Sequence, residues 1–192
     1  MKKFPIVLDL ETKHTFRDFS EHKKLGVTVV GVYDYKDKQC KAFGEKDLNK
    51  LFPILESSSY IIGFNVINFD LPVLQGYYPG KLEMLSTFDL LDDIRNKIGR
   101  RLALNDLLYA TLGKKKTGHG LMAIDLYKEG KLDELRQYCM DDVMLTKELF
   151  EHGAQTGEVA YLNEKGKISI KVDWKKYSED SGKSEDHLTL PF

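Results

Sequence analysis

Two carboxylates interrupt the first apolar run of the chain. Residues Ile6-Val7-Leu8-Asp9-Leu10 are nearly all apolar over a strand-like length, which reads as a strand covered on both faces of a sheet. Asp9 lies inside this run and Glu11 follows two residues later. Side chains at i and i+2 of a strand point the same way, so the pair shares one side of a sheet that is otherwise apolar. Charge buried there is costly unless a metal, a basic partner or exposure at the strand end compensates it.

The pattern around this strand is that of an α/β domain. Residues 26–35, rich in Val and Tyr, and residues 39–43 flank Lys36-Asp37-Lys38 and read as a hairpin. With the first strand they make a three-stranded antiparallel start. Residues 47–55 suit a short helix that Pro53 ends or bends. Residues 60–64 read as a second buried strand, and 69–77 as a helix entered at Asp70-Leu71-Pro72. Residues 87–91 fit either a short strand or a helix entry. The second half is mostly helical: residues 102–112 stopped by Gly113, a Gly/Lys loop over 113–120, and a helix near 121–128. The best-defined helix covers 132–152, with Leu132, Leu135, Cys139, Val143, Thr146 and Phe150 forming one stripe and Gly153 ending it. Residues 159–162 and 167–172 read as a terminal hairpin. The expectation is a mixed central sheet flanked by helices over residues 1–174. A polar, exposed tail is expected over 175–192.

Composition narrows the function. At 192 residues, 42% hydrophobic and 31% charged, the chain can bury one full core without staples. Cys40 and Cys139 are too few for a disulfide scaffold. The longest uncharged stretch, residues 57–69, is too short to span a bilayer. Asp9 and Glu11 spoil any signal-like start, so a cytoplasmic protein is expected. A net charge of −1, from 29 Lys+Arg and 30 Asp+Glu, argues against a purely electrostatic nucleic-acid binder. Yet Arg95, Lys97, Arg100, Arg101, Lys114, Lys115 and Lys116 lie within one stretch that holds a single acid, Asp106. That suits a protein meeting phosphates at one place. Lys114, Lys115 and Lys116, in their Gly-flanked loop, are the expected phosphate contacts, with a solvated face as the plain alternative. His14, His22 and His119 lack metal-ligand spacing with cysteine, so no zinc site is expected.

Two more acidic positions join the first pair. Asp70 follows the strand at 60–64 and equally suits a helix cap. Tyr138 and Asp142, at i and i+4, share one helix face beside the apolar stripe; a boundary Tyr and a solvated acid would give the same pattern. Asp9, Glu11, Asp70 and Asp142 stand near the ends of two buried strands and on one long helix, so they can converge. Oxygen ligands of this kind suit Mg²⁺ or Mn²⁺. Two such ions about 4 Å apart clamp the attacking and leaving oxygens of a phosphoryl displacement.

These residues carry a family resemblance. Val7-Leu8-Asp9-Leu10-Glu11-Thr12, then Gly63-Phe64-Asn65 through Phe69-Asp70, then Tyr138-x-x-x-Asp142 resemble in order the three motifs of the DEDD group of 3′–5′ exonucleases, in the ribonuclease H-like superfamily. With Gln137 and Tyr138 at the dividing positions, the chain is similar to the tyrosine branch. The resemblance covers about residues 4–174. It implies a ribonuclease H-like sheet and two divalent ions, Mg²⁺ or Mn²⁺. It also implies hydrolysis at single-stranded DNA or RNA 3′ ends with release of nucleoside 5′-monophosphates. It implies that Asp9, Glu11 and Asp142 hold the ion carrying the nucleophilic water. Asp9 would bridge to the second ion, Asp70 would reach that ion through water, and Tyr138 would orient the attacking water. Thr12 and Asn65 would contact the terminal nucleotide, and Phe69 would pack on its base or sugar. A catalytically silent nucleic-acid or clamp adaptor and a ribonuclease H-like endonuclease are the alternatives.

The last six residues, His187-Leu188-Thr189-Leu190-Pro191-Phe192, are similar to the hexapeptide Gln-Leu-x-Leu-x-Phe by which bacterial replication and repair proteins dock on the sliding clamp. His187 stands where Gln is usual. The similarity implies Leu188, Leu190 and Phe192 as clamp contacts; a terminus folded back on the domain is the alternative.

Overall fold

In the computed structural model, which describes residues 2–116, 118 and 121–178, the first apolar run is β1 (Ile6–Thr12). The Val-rich β2 (Val27–Asp34) and β3 (Gln39–Gly44) fold back from it as an antiparallel hairpin. On its other side β4 (Ile61–Gly63) runs parallel, followed by the parallel β5 (Thr87–Asp89). The order β3-β2-β1-β4-β5 makes a mixed sheet with the expected antiparallel start, and β1 lies at its centre. Helices α1 (Leu48–Ser57), α2 (Leu71–Leu74), α3 (Leu90–Ile98), α4 (Leu104–Leu112), α5 (Met122–Lys128), α6 (Leu132–Thr156) and α7 (Lys175–Ser178) flank it. The hairpin β6 (Glu158–Asn163) and β7 (Gly166–Lys171) forms a separate two-stranded sheet, as expected. No helix among the described residues is long and apolar enough to cross a membrane.

Alternation along β1 sorts the molecule into layers. Ile6, Leu8 and Leu10 pack on one face with Leu51 and Leu55 of α1 and Val73 and Leu74 of α2. Val7 joins Leu107 and Leu108 of α4 and Val143 and Leu149 of α6 on the other. Period-two geometry places Asp9 and Glu11 on the side of Val7, under α6. Each fully buried aliphatic side chain is worth about 1.5–3 kcal/mol. A one-residue slip of β1 would therefore exchange its aliphatic and acidic faces at large cost.

Several expectations are corrected. Pro53 does not end its helix: α1 continues to Ser57. The segment read as one helix over 69–77 is a π-helical turn, Val66–Asp70, followed by the four-residue α2. Both readings of 87–91 hold in part, because β5 ends at Asp89 and α3 starts at Leu90. Gly153 is not a stop. It lies inside α6, where an added Cβ would come within 2.3 Å of the Trp174 ring; the helix ends at Gly157, with φ +76°. The sequence puts the start of the tail at 175, but α7 follows there and Tyr177 stacks on Phe88 with ring centroids 3.7 Å apart. Residues 179–192, including Leu188, Leu190 and Phe192, lie outside the described residues.

Candidate metal centre

The site is assembled by a close approach of α6 to β1. Gly31 of β2 pairs with Asp9 across the ladder. A Cβ at Gly31 would lie 2.7 Å from Val143 Cγ2 and 3.1 Å from Cys139 Sγ. The missing side chain lets α6 settle on the sheet, and the Cys139 thiol donates to the Asp9 carbonyl at 3.6 Å. Asp142 is thereby delivered, 2% exposed, to the acidic side of β1. A glycine within a Val-rich strand is the sequence signal for such a contact, one that periodicity alone does not pick out.

The three acids meet. One carboxylate oxygen each from Asp9, Glu11 and Asp142 lies within 4.8 Å of the others. Burial pushes the Asp9 carboxyl up to about 7, with Lys116 opposing and Asp142 adding to the effect. Glu11 is raised well above the usual carboxylate range by burial and then by Asp9 and Asp142. Burial also raises Asp142, against the pull of Lys116. Three carboxyls that resist ionising together in one place suit a cation. The donors are all oxygen, the set preferred by hard divalent ions. Asp142 Oδ2 is buried without a well-angled hydrogen bond among the described residues. The residues therefore fit a divalent metal.

Lys116 supplies the compensating charge. Its Nζ lies 2.6 Å from Asp142 Oδ2, as an ion pair outside hydrogen-bond angles. Burial works against its charge, but Asp9 and Asp142 outweigh that and hold the ammonium above its ordinary pKa. Tyr138, one turn before Asp142, is 6% exposed. Burial, and next Asp142, keep its hydroxyl above the ordinary phenol range, so it is a neutral hydrogen-bonding group at neutral pH.

Asp70 stands beside this trio rather than in it. Its Oδ1 accepts a hydrogen bond from the Leu10 N–H at 3.0 Å, between Asp9 and Glu11 on β1. Burial raises its pKa first and the Asp9 charge second. The π-helical turn that carries Asp70 is held by a residue not singled out from sequence, Asp89. Its buried carboxylate accepts from Asn65 N at 2.9 Å and Ile67 N at 3.0 Å, and caps α3 through Leu91 N. An Asp just before a helix with Asp92 and Asp93 in its first turn is a readable N-cap; its second duty to the turn is not. Asn65 takes a left-handed conformation, φ 71°, at the entry to that turn.

The remaining sequence candidates divide. The Thr12 hydroxyl donates to the His14 carbonyl at 2.8 Å. Phe69 meets Phe16 and His22 edge-on. The three lysines expected to act together go separate ways: Lys114 pairs with Glu148 at 2.5 Å, Lys115 lies over the Tyr109 ring, and Lys116 enters the acidic site. His119 lies outside the described residues.

Comparison with known proteins agrees with this layout. A family model described as "RNase_H superfamily" matches residues 6–153. The family B DNA polymerase of the hyperthermophilic archaeon Pyrobaculum calidifontis shares the fold with a TM-score of 0.61 at 15% identity, over 80% of this chain and 25% of that one. Trypanosoma brucei RNase D shares it with a TM-score of 0.59 at 15% identity, over 78% of this chain and 57% of its own. The chain thus spans a quarter of the polymerase and little more than half of the RNase D. No curated protein sequence matches it. The match runs from the start of β1 to the acid-bearing α6, and with the central β1 and the mixed sheet order it leads to one conclusion: this chain belongs to the RNase H superfamily.

Proposed function

We propose that the chain is a metal-dependent 3′–5′ exonuclease acting on single-stranded ends and releasing nucleoside 5′-monophosphates. The observation that carries this reading is the meeting of Asp9, Glu11 and Asp142 oxygens within 4.8 Å on one side of β1. The names of the structural neighbours, a DNA polymerase and an RNase, support a nucleic-acid substrate. Asp9, Glu11 and Asp142 would hold a divalent ion, with Asp70 beside them for a second. A bound pair of ions, Mg²⁺ or Mn²⁺, supplies acidified water and positive charge at the phosphate.

The chain's own residues do the rest. Tyr138, a neutral phenol, orients the attacking water by a hydrogen bond rather than by taking its proton. Thr12 and Asn65 position the terminal nucleotide and Phe69 packs against it. Water oxygen bonds to phosphorus as the bond to the preceding 3′ oxygen breaks. A proton goes to that oxygen, leaving a 5′-monophosphate and a shortened strand with a new 3′-hydroxyl. Lys114 and Lys115, on the exposed loop beside the site, meet the strand's phosphates.

Incubating 3′-labelled and 5′-labelled DNA and RNA oligomers with Mg²⁺ or Mn²⁺ tests activity, polarity and sugar preference together. Labelled mononucleotide from the 3′-labelled strand and a ladder from the 5′-labelled one are expected, both lost in Asp142→Asn. Intact strands with the parent chain, or equal cleavage by the variant, would overturn the reading. The proposed clamp docking through Leu188, Leu190 and Phe192 rests on the sequence. Calorimetry comparing the full chain with one stopped at Asp186 tests it, and equal behaviour sinks it.

A further inference from the structure

The loop between β1 and β2 carries aromatic rings that the core does not use. Phe16 is 50% exposed and Phe19 38%. A scattered exposed apolar residue needs no explanation, but Phe16 forms a connected row with His22 and Phe69, while Phe19 makes a separate pair with His14. Phe19 lies edge-on to His14 with centroids 5.0 Å apart, Phe16 edge-on to His22 at 4.9 Å, and Phe16 again to Phe69 at 5.9 Å. The row is mounted firmly. His22 Nε2 lies 3.0 Å from the Asn68 carbonyl oxygen, tying the loop to the π-helical turn. Within the loop, the Asp18 carboxylate accepts from the Thr15 N–H at 2.8 Å and the Thr15 hydroxyl at 2.9 Å.

The row begins at the rim of the acidic site. Phe69 is the residue before Asp70, whose carboxylate holds the Leu10 N–H between Asp9 and Glu11. Arg17, next to Phe16, is exposed, and among the described residues its guanidinium pairs with no carboxylate. Lys24 of the same loop, by contrast, is paired with Glu21. A solvent-facing ring beside a free guanidinium offers a base one partner and its phosphate another.

We infer that Phe16 and Arg17 form a second nucleotide subsite. A base of the single strand, next to the nucleotide whose phosphate lies at Asp9, Glu11 and Asp142, stacks on the open face of Phe16, and Arg17 meets a neighbouring phosphate. This subsite rests on the nuclease reading above. Stacking tolerates any base but requires it to leave its neighbours, so the subsite favours unpaired ends over duplex.

The test uses the full chain and fluorescent oligodeoxynucleotides that carry one abasic residue at the second, third or fourth position from the 3′ end. Binding is read by anisotropy in EDTA, and hydrolysis with Mn²⁺. In the parent chain one of those abasic positions is expected to weaken binding by about 5- to 150-fold. Phe16→Ala weakens the fully based strand by a similar factor and erases that penalty. Phe16→Leu, which keeps an apolar contact for Phe69 but no ring face, does the same, whereas Phe16→Tyr keeps the penalty. Arg17→Gln lowers the slope of log affinity against log salt by about 0.7. No abasic penalty in the parent chain, or an unchanged penalty in both Phe16→Ala and Phe16→Leu, overturns the subsite. If the parent chain hydrolyses nothing, the nuclease reading fails, while the binding measurement still decides the subsite.

Discussion

Removing the Lys116 ammonium leaves Asp9, Glu11 and Asp142 with no positive charge in contact among the described residues. Breaking one partner of a buried charge pair is the costly direction. Since Lys116 is partly solvated, with 24% of its side chain exposed, the loss is about 1–3 kcal/mol. For a chain of this size that is a Tm drop of about 2–12 °C. Differential scanning fluorimetry of Lys116→Met in EDTA should show it, and a larger recovery with Mn²⁺ than in the parent chain. An unchanged Tm would remove Lys116 from the centre.

The pH dependence follows from the same acids. In the metal-free chain Asp9 titrates near 7, against an ordinary value of 3.8. Between those values the folded state keeps a proton that the unfolded state has lost, so folding stability falls as pH rises through this window. A bound cation holds the carboxylates ionised and removes the penalty. The Tm gain from Mn²⁺ should therefore grow as pH rises from 5 to about 7. Asp9→Asn should flatten the metal-free profile; a metal-free Tm that rises over that range in the parent chain contradicts the burial of these acids.

Among the elements, α6 is where site and fold can be separated, because it carries two glycine contacts. Gly31→Ala pushes Val143 and the Cys139 backbone away from the sheet, since the new Cβ would sit 2.7 Å from Val143 Cγ2. Gly153→Ala meets the Trp174 ring instead, at 2.3 Å. Each should cost about 1–3 kcal/mol of stability. Only Gly31→Ala moves Asp142 relative to Asp9. Calorimetry should find Mn²⁺ affinity reduced in Gly31→Ala and retained in Gly153→Ala, whose contact lies about 16 Å further along the helix from Asp142. Equal affinities would mean that the Gly31 contact does not set the site.

The same helix marks where local sequence stops being informative. Its stripe from Leu135 to Phe150 is legible because burial on one side imposes a 3.6-residue period; Leu132, expected in the stripe, is 49% exposed at the open first turn. Its end is not, because Gly153 reads as a stop until Trp174, 21 residues on, fills the space of the missing side chain. The turn at 66–70 eludes a periodicity reading for a similar reason: Asp89 of a different strand supplies its hydrogen bonds.

Over the whole molecule, the sheet and the acidic trio could be foreseen because both rest on short-range patterns: alternation on β1, and the four-residue step from Tyr138 to Asp142. Long-range electrostatics could not. Nothing in Lys114-Lys115-Lys116 says that one ammonium turns into the site while its neighbours find Glu148 and Tyr109. The aromatic loop after β1 is equally silent, since Phe16 matters only through its place beside Phe69.

The most direct measurement is Mn²⁺ binding by electron paramagnetic resonance, in which the free aqueous ion gives the signal and the protein-bound ion removes it. The parent chain should deplete that signal and Asp142→Asn, folded to the same far-UV spectrum, should leave it nearly intact. Equal depletion by the two, or none by the parent chain, would contradict a cation held between β1 and α6.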